Sequence, residues 1–120
     1  MEVKVKSIYE PKEPSDGIRV LITRYYPRGV KRENFDIWMR SLAPDQGLLK
    51  RYKEGSMTWS DFETEFYDEV KNRNQSIQDI EKIRSMTQEK NVTLLCFEKE
   101  GENCHRYLVQ RIMKERPLFD

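Results

Sequence analysis

Apolar residues near the start of the chain recur at every second position. Val3 and Val5 alternate with lysines, which predicts a short peripheral strand with one solvated face. A denser, β-branched run over residues 18–23 is typical of a buried strand, and Pro27 and Gly29 end it. We therefore expect residues 18–23 to form a central strand of a sheet.

Between residues 33 and 85 the apolar spacing changes to the period of a helix, and the pattern predicts four helices in succession. Their apolar stripes are Phe35, Trp38 and Leu42; Leu48, Leu49 and Tyr52; Trp59, Phe62, Phe66 and Val70; and Ile77, Ile80 and Ile83. The predicted N-terminal caps are Asp45, Thr58 paired with Asp61, and Ser76 paired with Asp79. We interpret the stripes as core residues rather than as a cofactor lining, because core packing requires this spacing.

A second dense apolar run, residues 91–97, predicts another buried strand, and residues 108–113 predict a final helix. A strand followed by a long helical crossover and a second strand yields parallel neighbours. With 120 residues the chain has room for one core. We therefore predict a single α/β domain over residues 1–120, a small and mostly parallel sheet of about three strands packed by about five helices, with a helix-rich middle segment.

Charge and sequence pattern limit the binding partners and the cellular location that we expect for this protein. The formal net charge of +1 removes strong attraction of the whole molecule to polyanions, so nucleic-acid binding would need a local basic patch. The N-terminal residues lack the apolar run of a signal peptide or membrane span, so we expect a cytoplasmic protein without membrane contact. In that reducing compartment the two cysteines are expected as free thiols. Because apolar stripes fit either a core or an interface, monomer and homodimer both stay open.

Polar residues follow both predicted central strands. Ligands of parallel sheets bind outside the carboxyl ends of the strands, so the segments 24–29 and 97–106 should face one another. Residues 17–32 carry five cations and no acid. Arg24 and Arg28 are therefore candidate contacts for a carboxylate or phosphate, and the alternative is that they pair with surface carboxylates.

The second segment contains a candidate nucleophile. Asn103 is a plausible N-cap, which would put Cys104 in the first turn of a helix, where free amides and the helix dipole stabilise a thiolate. His105 or Arg106 would then be the stabilising cation, and Glu98 an acid, a base or an orienting group. Adjacent positions on a helix do not face each other, so contact between Cys104 and His105 is not required by this pattern.

The sequence favours a structural role for Cys96 and does not indicate a metal site. Cys96 lies in an apolar strand and is interpreted as a small buried hydrophobic residue. The spacing of Cys96, Cys104 and His105 does not match a zinc ribbon or finger, and no fourth ligand is evident. A Cys96–Cys104 disulfide could span the loop, but a reducing compartment opposes it. We therefore predict no metal and no cofactor.

Four groups of residues together carry a family resemblance. They are Thr-Arg-Tyr-Tyr-Pro-Arg-Gly at 23–29, Trp38 with Leu-Ala-Pro at 42–44, Trp59 and Phe62 ahead of Glu69, and Leu-Leu-Cys at 94–96 with Cys-His-Arg at 104–106. Over nearly the whole chain the combination resembles the YeaO-like branch of the DUF488 family. The resemblance implies an α/β domain, and it supplies no activity. The characteristic polar residues that it implies are Arg24, Pro27, Arg28, Gly29, Cys96, Glu98, Cys104, His105 and Arg106.

The function that these residues indicate is a small polar pocket. It would take an anionic ligand such as a nucleotide or a phosphorylated metabolite, with Arg24, Arg28 and Arg106 as anion contacts. Cys104 would make it a cysteine-dependent enzyme, and the sequence leaves catalysis open. In a purely structural alternative, Arg24, Glu98 and Arg106 form an ion-pair network that closes the edge of the sheet.

A second functional class uses the same basic loop without catalysis. Lys31 and Arg32 could contact phosphates while Tyr25 and Tyr26 stack on bases, which would give a nucleic-acid or protein interaction module. Such binding would depend strongly on salt, because it releases counterions.

Overall fold

One four-stranded sheet and four α-helices make up the chain in a computed structural model that describes residues 2–115. The strands are β1 (Val3–Ser7), β2 (Ile18–Leu21), β3 (Ile37–Trp38) and β4 (Val92–Cys96). The helices are α1 (Gln46–Lys53), α2 (Trp59–Lys71), α3 (Asn74–Met86) and α4 (His105–Lys114). Short 3-10 turns cover Pro14–Asp16, Arg32–Asn34 and Arg40–Leu42.

All strand pairs of the sheet are parallel, in the order β1-β4-β2-β3. β2 and β4 are neighbours in the centre, with Val20 opposite Leu94, and β1 lies at one edge. The predicted α/β class is therefore confirmed, with four strands where about three were expected and four α-helices where about five were expected. The crossover from β3 to β4 contains α1, α2 and α3.

The predicted first helix, carrying Phe35, Trp38 and Leu42, is wrong. This segment instead forms the edge strand β3 between two 3-10 turns. It satisfies the open edge of β2, because Asp36 N donates to the carbonyl of Arg19 and Met39 N donates to that of Leu21, both at 2.8 Å. Unpaired buried backbone groups are costly, so pairing with β2 prevails over the weak local preference for a helix.

The predicted caps are borne out for two helices and wrong for the third. The side chains of Asp45 and Thr58 each accept a main-chain hydrogen bond at the start of α1 and α2. α3 begins at Asn74, before the predicted cap Ser76. The buried Ser76 hydroxyl donates instead to the carbonyl oxygen of Ser41 at 2.6 Å, which ties α3 to the turn after β3.

Alternate residues of the central strands face two different sides. Val92, Leu94 and Cys96 of β4 belong to the main core under the helices, whereas Leu95 belongs to a smaller cluster on the opposite face. Most of the predicted apolar stripes lie in the main core, with Leu48, Phe62, Phe66, Val70, Ile80 and Ile83 all buried. The strand alternation therefore points Cys96 towards the helices.

One of the five cations in the basic stretch is structural. Arg19 lies in β2 with 1% of its surface exposed, and its guanidinium donates to the carboxylate of the buried Asp16 and to Asn34 O. Lys6 bonds the same carboxylate at 3.1 Å. Burial opposes ionisation of Asp16, but hydrogen bonds from Glu13 N, Lys6 and Arg19 hold its pKa below the usual value. Arg19 is therefore not available for a ligand.

Within residues 2–115, none of the helices combines the length and the apolar character that crossing a lipid bilayer requires.

Candidate functional site

The candidate site lies where the central strands end and the last helix begins. Cys96 is the final residue of β4, and Cys104 is the N-cap of α4, so a short loop separates them. The imidazole of His105 reaches across to β2, where Nε2 lies 2.5 Å from the carbonyl oxygen of Ile22. The ends of β2 and β4 and the start of α4 thus meet at one point, as the rule for parallel sheets requires.

Two sulfurs and one imidazole form a compact buried cluster at this point. Cys104 Sγ lies 3.8 Å from His105 Nδ1, and Cys96 Sγ lies 3.5 Å from His105 Nε2. The candidate ligand atoms of the three residues are all within 4.8 Å of one another. Neither cysteine is part of a disulfide bond in the structure. His105 is 9% exposed, Cys104 3% and Cys96 fully buried, so the cluster has little contact with bulk water.

The cap of α4 differs from the predicted one and explains the contact between neighbours. Cys104, rather than Asn103, is the N-cap, and its sulfur accepts a hydrogen bond from Arg106 N at 3.5 Å. Its backbone is extended, with φ −156° and ψ 146°. Because Cys104 lies just outside the helix, its side chain folds back over the first turn and reaches His105, which two adjacent helical positions would not allow.

This environment favours a thiolate at Cys104. Burial opposes its ionisation, but a hydrogen bond from Cys96, the charge on His105 and the Arg106 N–H lower the pKa of Cys104 to about 3. Burial also works against the imidazolium, and the negative charge on Cys104 nevertheless raises the pKa of His105. Both pKa shifts thus favour the charged forms, a thiolate at Cys104 and an imidazolium at His105, and a cation beside a cysteine is the usual way in which a protein activates it.

Two acidic groups next to Cys104, the Glu98 carboxyl and the Cys96 thiol, keep their protons more readily than usual. Burial, and next the charge on Cys104, raise the pKa of the Glu98 carboxyl. Burial, followed by its hydrogen bond to Cys104, raises the pKa of the Cys96 thiol well above its usual value. Both shifts favour the protonated forms, a carboxylic acid at Glu98 and a thiol at Cys96.

A pocket of about 430 Å³ opens onto this cluster. Glu98, Cys104 and His105 line one end of it, and α1 and α2 supply an aromatic wall and a lysine: Tyr52, Trp59, Phe62 and Lys53. The rings of Trp59 and Phe62 stack with centroids 4.8 Å apart. A larger cavity of about 750 Å³ lies beside Gly17 and Asn91, near the amino end of β2 and away from this chemistry. Of these two pockets, the smaller one is lined by a cysteine and a histidine.

The predicted arginines lie outside the pocket. Arg24 Nε donates to the carbonyl of Pro44 at 2.7 Å, and Arg28 is exposed; neither is among the described residues that line the pocket. Arg106 donates to the carbonyl oxygens of Glu98 and Lys99 at 2.9 and 2.8 Å, so it fixes the loop before α4. Main-chain carbonyl oxygens thus accept hydrogen bonds from Arg24 and Arg106, two of the three arginines that were predicted to contact an anion. Among the described residues, the ion-pair network of Arg24, Glu98 and Arg106 does not form.

Two supporting residues shape the turn after β2. Pro27 is buried, and Gly29 has φ +75°, a backbone conformation that disfavours a side chain. The turn carries Tyr25 and Tyr26, which are 49% and 39% exposed. Tyr26 donates its hydroxyl to the carbonyl of Val30 at 2.6 Å, so the ring is held in place at the surface.

The fold also brings together three side chains that could bind a metal ion. The sequence spacing of Cys96, Cys104 and His105 did not suggest a site, yet the sheet and α4 bring their nitrogen and sulfur atoms together. Such atoms are zinc ligands in proteins. However, Cys96 Sγ lies beside the ring, closer to Nε2 at 3.5 Å than to Nδ1 at 3.9 Å, and Nε2 faces Ile22 O. A metal on Nδ1 would need Cys96 to turn, so the arrangement fits an ion pair better.

Comparison with known proteins identifies the family. Residues 3–117 match the sequence model of DUF488-N3a, which is described as the active DUF488-N3 subclade. The chain belongs to the DUF488-N3a family. The resemblance to DUF488 proteins that the motifs indicated is thereby confirmed.

Relatives of this DUF488-N3a chain include bacterial proteins of similar length. It is 27% identical over 107 residues to the uncharacterized protein YeaO of Escherichia coli K12, which covers 88% of this chain and 90% of YeaO. It is 30% identical over 70 residues to Rv3073c of Mycobacterium tuberculosis H37Rv, which covers 57% of this chain and 59% of Rv3073c. Mb3100c of Mycobacterium bovis matches to the same extent. No solved structure matches the chain.

Sequence reasoning missed the aromatic wall of this DUF488-N3a protein. Tyr52, Trp59 and Phe62 have the helical spacing of core residues, and Phe62 is indeed buried. Tyr52 and Trp59 are only partly buried, because they lie at the rim of the pocket. The nearby cation, Lys53, is one of many in the sequence. Only the packing of α1 against α2 shows that these residues face Cys104.

Proposed function

We propose that this DUF488-N3a protein is a cysteine-dependent enzyme that acts on a small anionic ligand with a planar ring, such as a nucleotide. The observation that carries the proposal is the buried contact between Cys104 Sγ and His105 Nδ1 at the end of a pocket, in surroundings that lower the pKa of Cys104. The family description, which speaks of an active subclade, agrees with catalysis. We also propose a cytoplasmic location, where reducing conditions keep Cys104 reduced.

Each polar group has a role in a nucleophilic reaction. Cys104 Sγ forms a bond to an electrophilic centre of the ligand while the bond to the leaving group breaks. Glu98 gives its proton to the leaving group, and water then attacks the intermediate, returns a proton to Glu98 and releases Cys104 as a thiolate. His105, held by the carbonyl of Ile22, stabilises the thiolate before and after the reaction.

The shape of the pocket determines the ligand class. A volume of about 430 Å³ is within the range of small-molecule sites. The wall of Tyr52, Trp59 and Phe62 offers faces on which a heterocyclic ring can stack, a contact worth about 1–3 kcal/mol per base. Lys53 supplies positive charge for a phosphate or carboxylate, in place of the arginines outside the pocket.

The first prediction concerns the reactivity of Cys104. Its alkylation by iodoacetamide should be nearly independent of pH from about pH 5 to about pH 8, because the thiolate is already formed. An ordinary thiol, with a pKa of about 8.5, slows about tenfold per pH unit in this range. The rate is measured by mass spectrometry, with Cys104→Ser as the control that leaves only the buried Cys96. A rate that follows ordinary thiol titration would refute the nucleophile.

The second prediction concerns the ligand. Titration with a nucleoside monophosphate, followed by amide NMR shifts, should move signals in residues 52–62 and 98–106. Trp59→Ala should weaken binding by about tenfold or more, because it removes a stacking surface. Tyr25→Ala is the matched control, an aromatic residue outside the pocket that should leave binding unchanged. Equal effects of the two variants would argue against the pocket.

A second candidate function is favoured by one observation. Tyr25 and Tyr26 are exposed beside the exposed cations Arg28, Lys31 and Arg32, an arrangement suited to single-stranded nucleic acid. In the same NMR experiment, a short single-stranded oligonucleotide would then shift residues 25–32 rather than 98–106. That pattern, with binding lost at high salt, would favour this surface over the pocket.

A further inference from the structure

The two cysteines of the cluster differ in their access to solutes. Cys104 lines the pocket, whereas Cys96 is fully buried at the end of β4 and is absent from the described lining. Their sulfurs are within 4.8 Å of each other, and both lie against the ring of His105. A reagent in the pocket can therefore reach Cys104 first, and any product formed there meets Cys96 next.

We propose that Cys104 is a site of reversible oxidation by a hydroperoxide, and that Cys96 is the resolving thiol that closes a Cys96–Cys104 disulfide. The proposal rests on the proposed function for its reactive Cys104, and it adds a second reaction at the same sulfur. These are the two cysteines of the chain, and because their sulfurs already lie within 4.8 Å of each other we expect the disulfide to form within one chain.

In the first step, Cys104 attacks the peroxide. The thiolate sulfur bonds to one peroxide oxygen, the O–O bond breaks, and the other oxygen leaves as hydroxide or alkoxide and takes a proton from water. Sulfur is oxidised by two electrons and the peroxide is reduced by two. The product is the sulfenic acid of Cys104. Thiolate character and access from solution are the properties that make a cysteine susceptible to this reaction.

In the second step, Cys96 resolves the sulfenic acid. The Cys96 sulfur bonds to the Cys104 sulfur, the S–O bond breaks, and hydroxide leaves with the Cys96 proton as water. Oxidation of Cys104 makes the attack by Cys96 easier. The negative charge on Cys104 is one of the causes that keep the pKa of Cys96 high, and a neutral sulfenic acid no longer carries that charge. A dithiol reductant then restores both thiols by exchange.

The loop between the two cysteines is compatible with a Cys96–Cys104 disulfide. Residues 97–103 form a loop without helix or strand, and the Arg106 guanidinium holds it through the carbonyls of Glu98 and Lys99. Each sulfur also contacts the ring of His105, so both are already on the same side of α4. Closing the disulfide removes the thiolate from the pocket, and reversible oxidation would therefore suspend the proposed enzyme activity.

The test treats the reduced full-length chain, in buffer with a metal chelator, with one equivalent of hydrogen peroxide. We expect both thiols to be lost in a thiol titration of the denatured protein, an intact mass lower by two hydrogen atoms, and full recovery with dithiothreitol. In Cys96→Ala, dimedone should trap a sulfenic acid on Cys104 that the wild-type chain forms only briefly. The wild-type result alone decides the matter if this variant folds poorly.

Three results would overturn the inference. Cys104 could proceed to sulfinic acid while Cys96 stays a free thiol, the product could be a disulfide between chains, or both thiols could survive the peroxide. The first result leaves the proposed function standing, because it still requires a reactive Cys104. An alkylation profile like that of an ordinary thiol would refute the proposed function whatever the outcome with peroxide.

Discussion

Replacing His105 with asparagine should slow the alkylation of Cys104 by about a hundredfold at about pH 6. Burial already opposes the thiolate, and without the imidazolium the pKa of Cys104 should rise towards or above the ordinary range. At that pH only a small fraction of the sulfur would then be ionised. The measurement is the rate of carbamidomethylation by mass spectrometry, with the pH profile recorded for both proteins.

Lys53→Gln is the matched control for this experiment. It removes a cation from the lining of the same pocket, but Lys53 is not among the groups that lower the pKa of Cys104, so the rate should hardly change. Because His105 is buried against Phe66, circular dichroism must show that the variant folds, and His105→Gln provides a second test with a longer amide. An unchanged rate in a folded variant would mean that His105 does not activate Cys104.

Replacing Asp16 with asparagine should lower the free energy of unfolding by about 3–5 kcal/mol, because it leaves the buried guanidinium of Arg19 without its counter-charge. Urea unfolding followed by tryptophan fluorescence measures the loss. Glu65→Gln, which breaks the exposed pair with Arg51, is the control and should leave the urea midpoint nearly unchanged. Equal effects of the two substitutions would show that Asp16 does not stabilise the fold in this way.

The stabilisation of the fold by the Asp16 carboxylate should decrease at low pH. Burial opposes the charge on Asp16, but hydrogen bonds from Glu13 N, Lys6 and Arg19 lower its folded pKa below the unfolded value of 3.8. The carboxylate therefore contributes its full stability above the unfolded pKa and loses it as pH falls through the folded pKa. The difference between wild type and Asp16→Asn should be constant above about pH 5 and shrink below about pH 4.

The sequence predicted the parts of the fold that depend on local pattern. The dense runs at 18–23 and 91–97 are central parallel neighbours because β-branched segments separated by a helical crossover favour this topology. The N-cap of α2 could be predicted because the side chain of Thr58 itself accepts the capping hydrogen bond from Asp61 N. β3 was missed because only the open edge of β2 makes that segment extended.

The edge of the sheet at which the candidate residues lie can be predicted from the sequence, but the contacts of their side chains cannot. The strand-end rule places segments 24–29 and 97–106 at one edge, but it does not specify where long side chains point. Arg24 turns to the carbonyl of Pro44, and Arg106 turns to the loop before α4. The contact between Cys104 and His105 depends on whether Cys104 is the N-cap or the first helical residue, a difference of one position that the sequence does not determine.

The proposed enzyme requires Cys104 to be a thiolate at neutral pH, paired with His105. The most direct measurement is the ultraviolet absorbance of the thiolate as a function of pH, with the curve of Cys104→Ser subtracted. The signal should be present at about pH 5 and constant up to neutral pH, since the pKa of Cys104 is about 3. A signal that develops only near the ordinary thiol pKa of about 8.5 would show that Cys104 is an ordinary thiol and would rule out its pairing with His105.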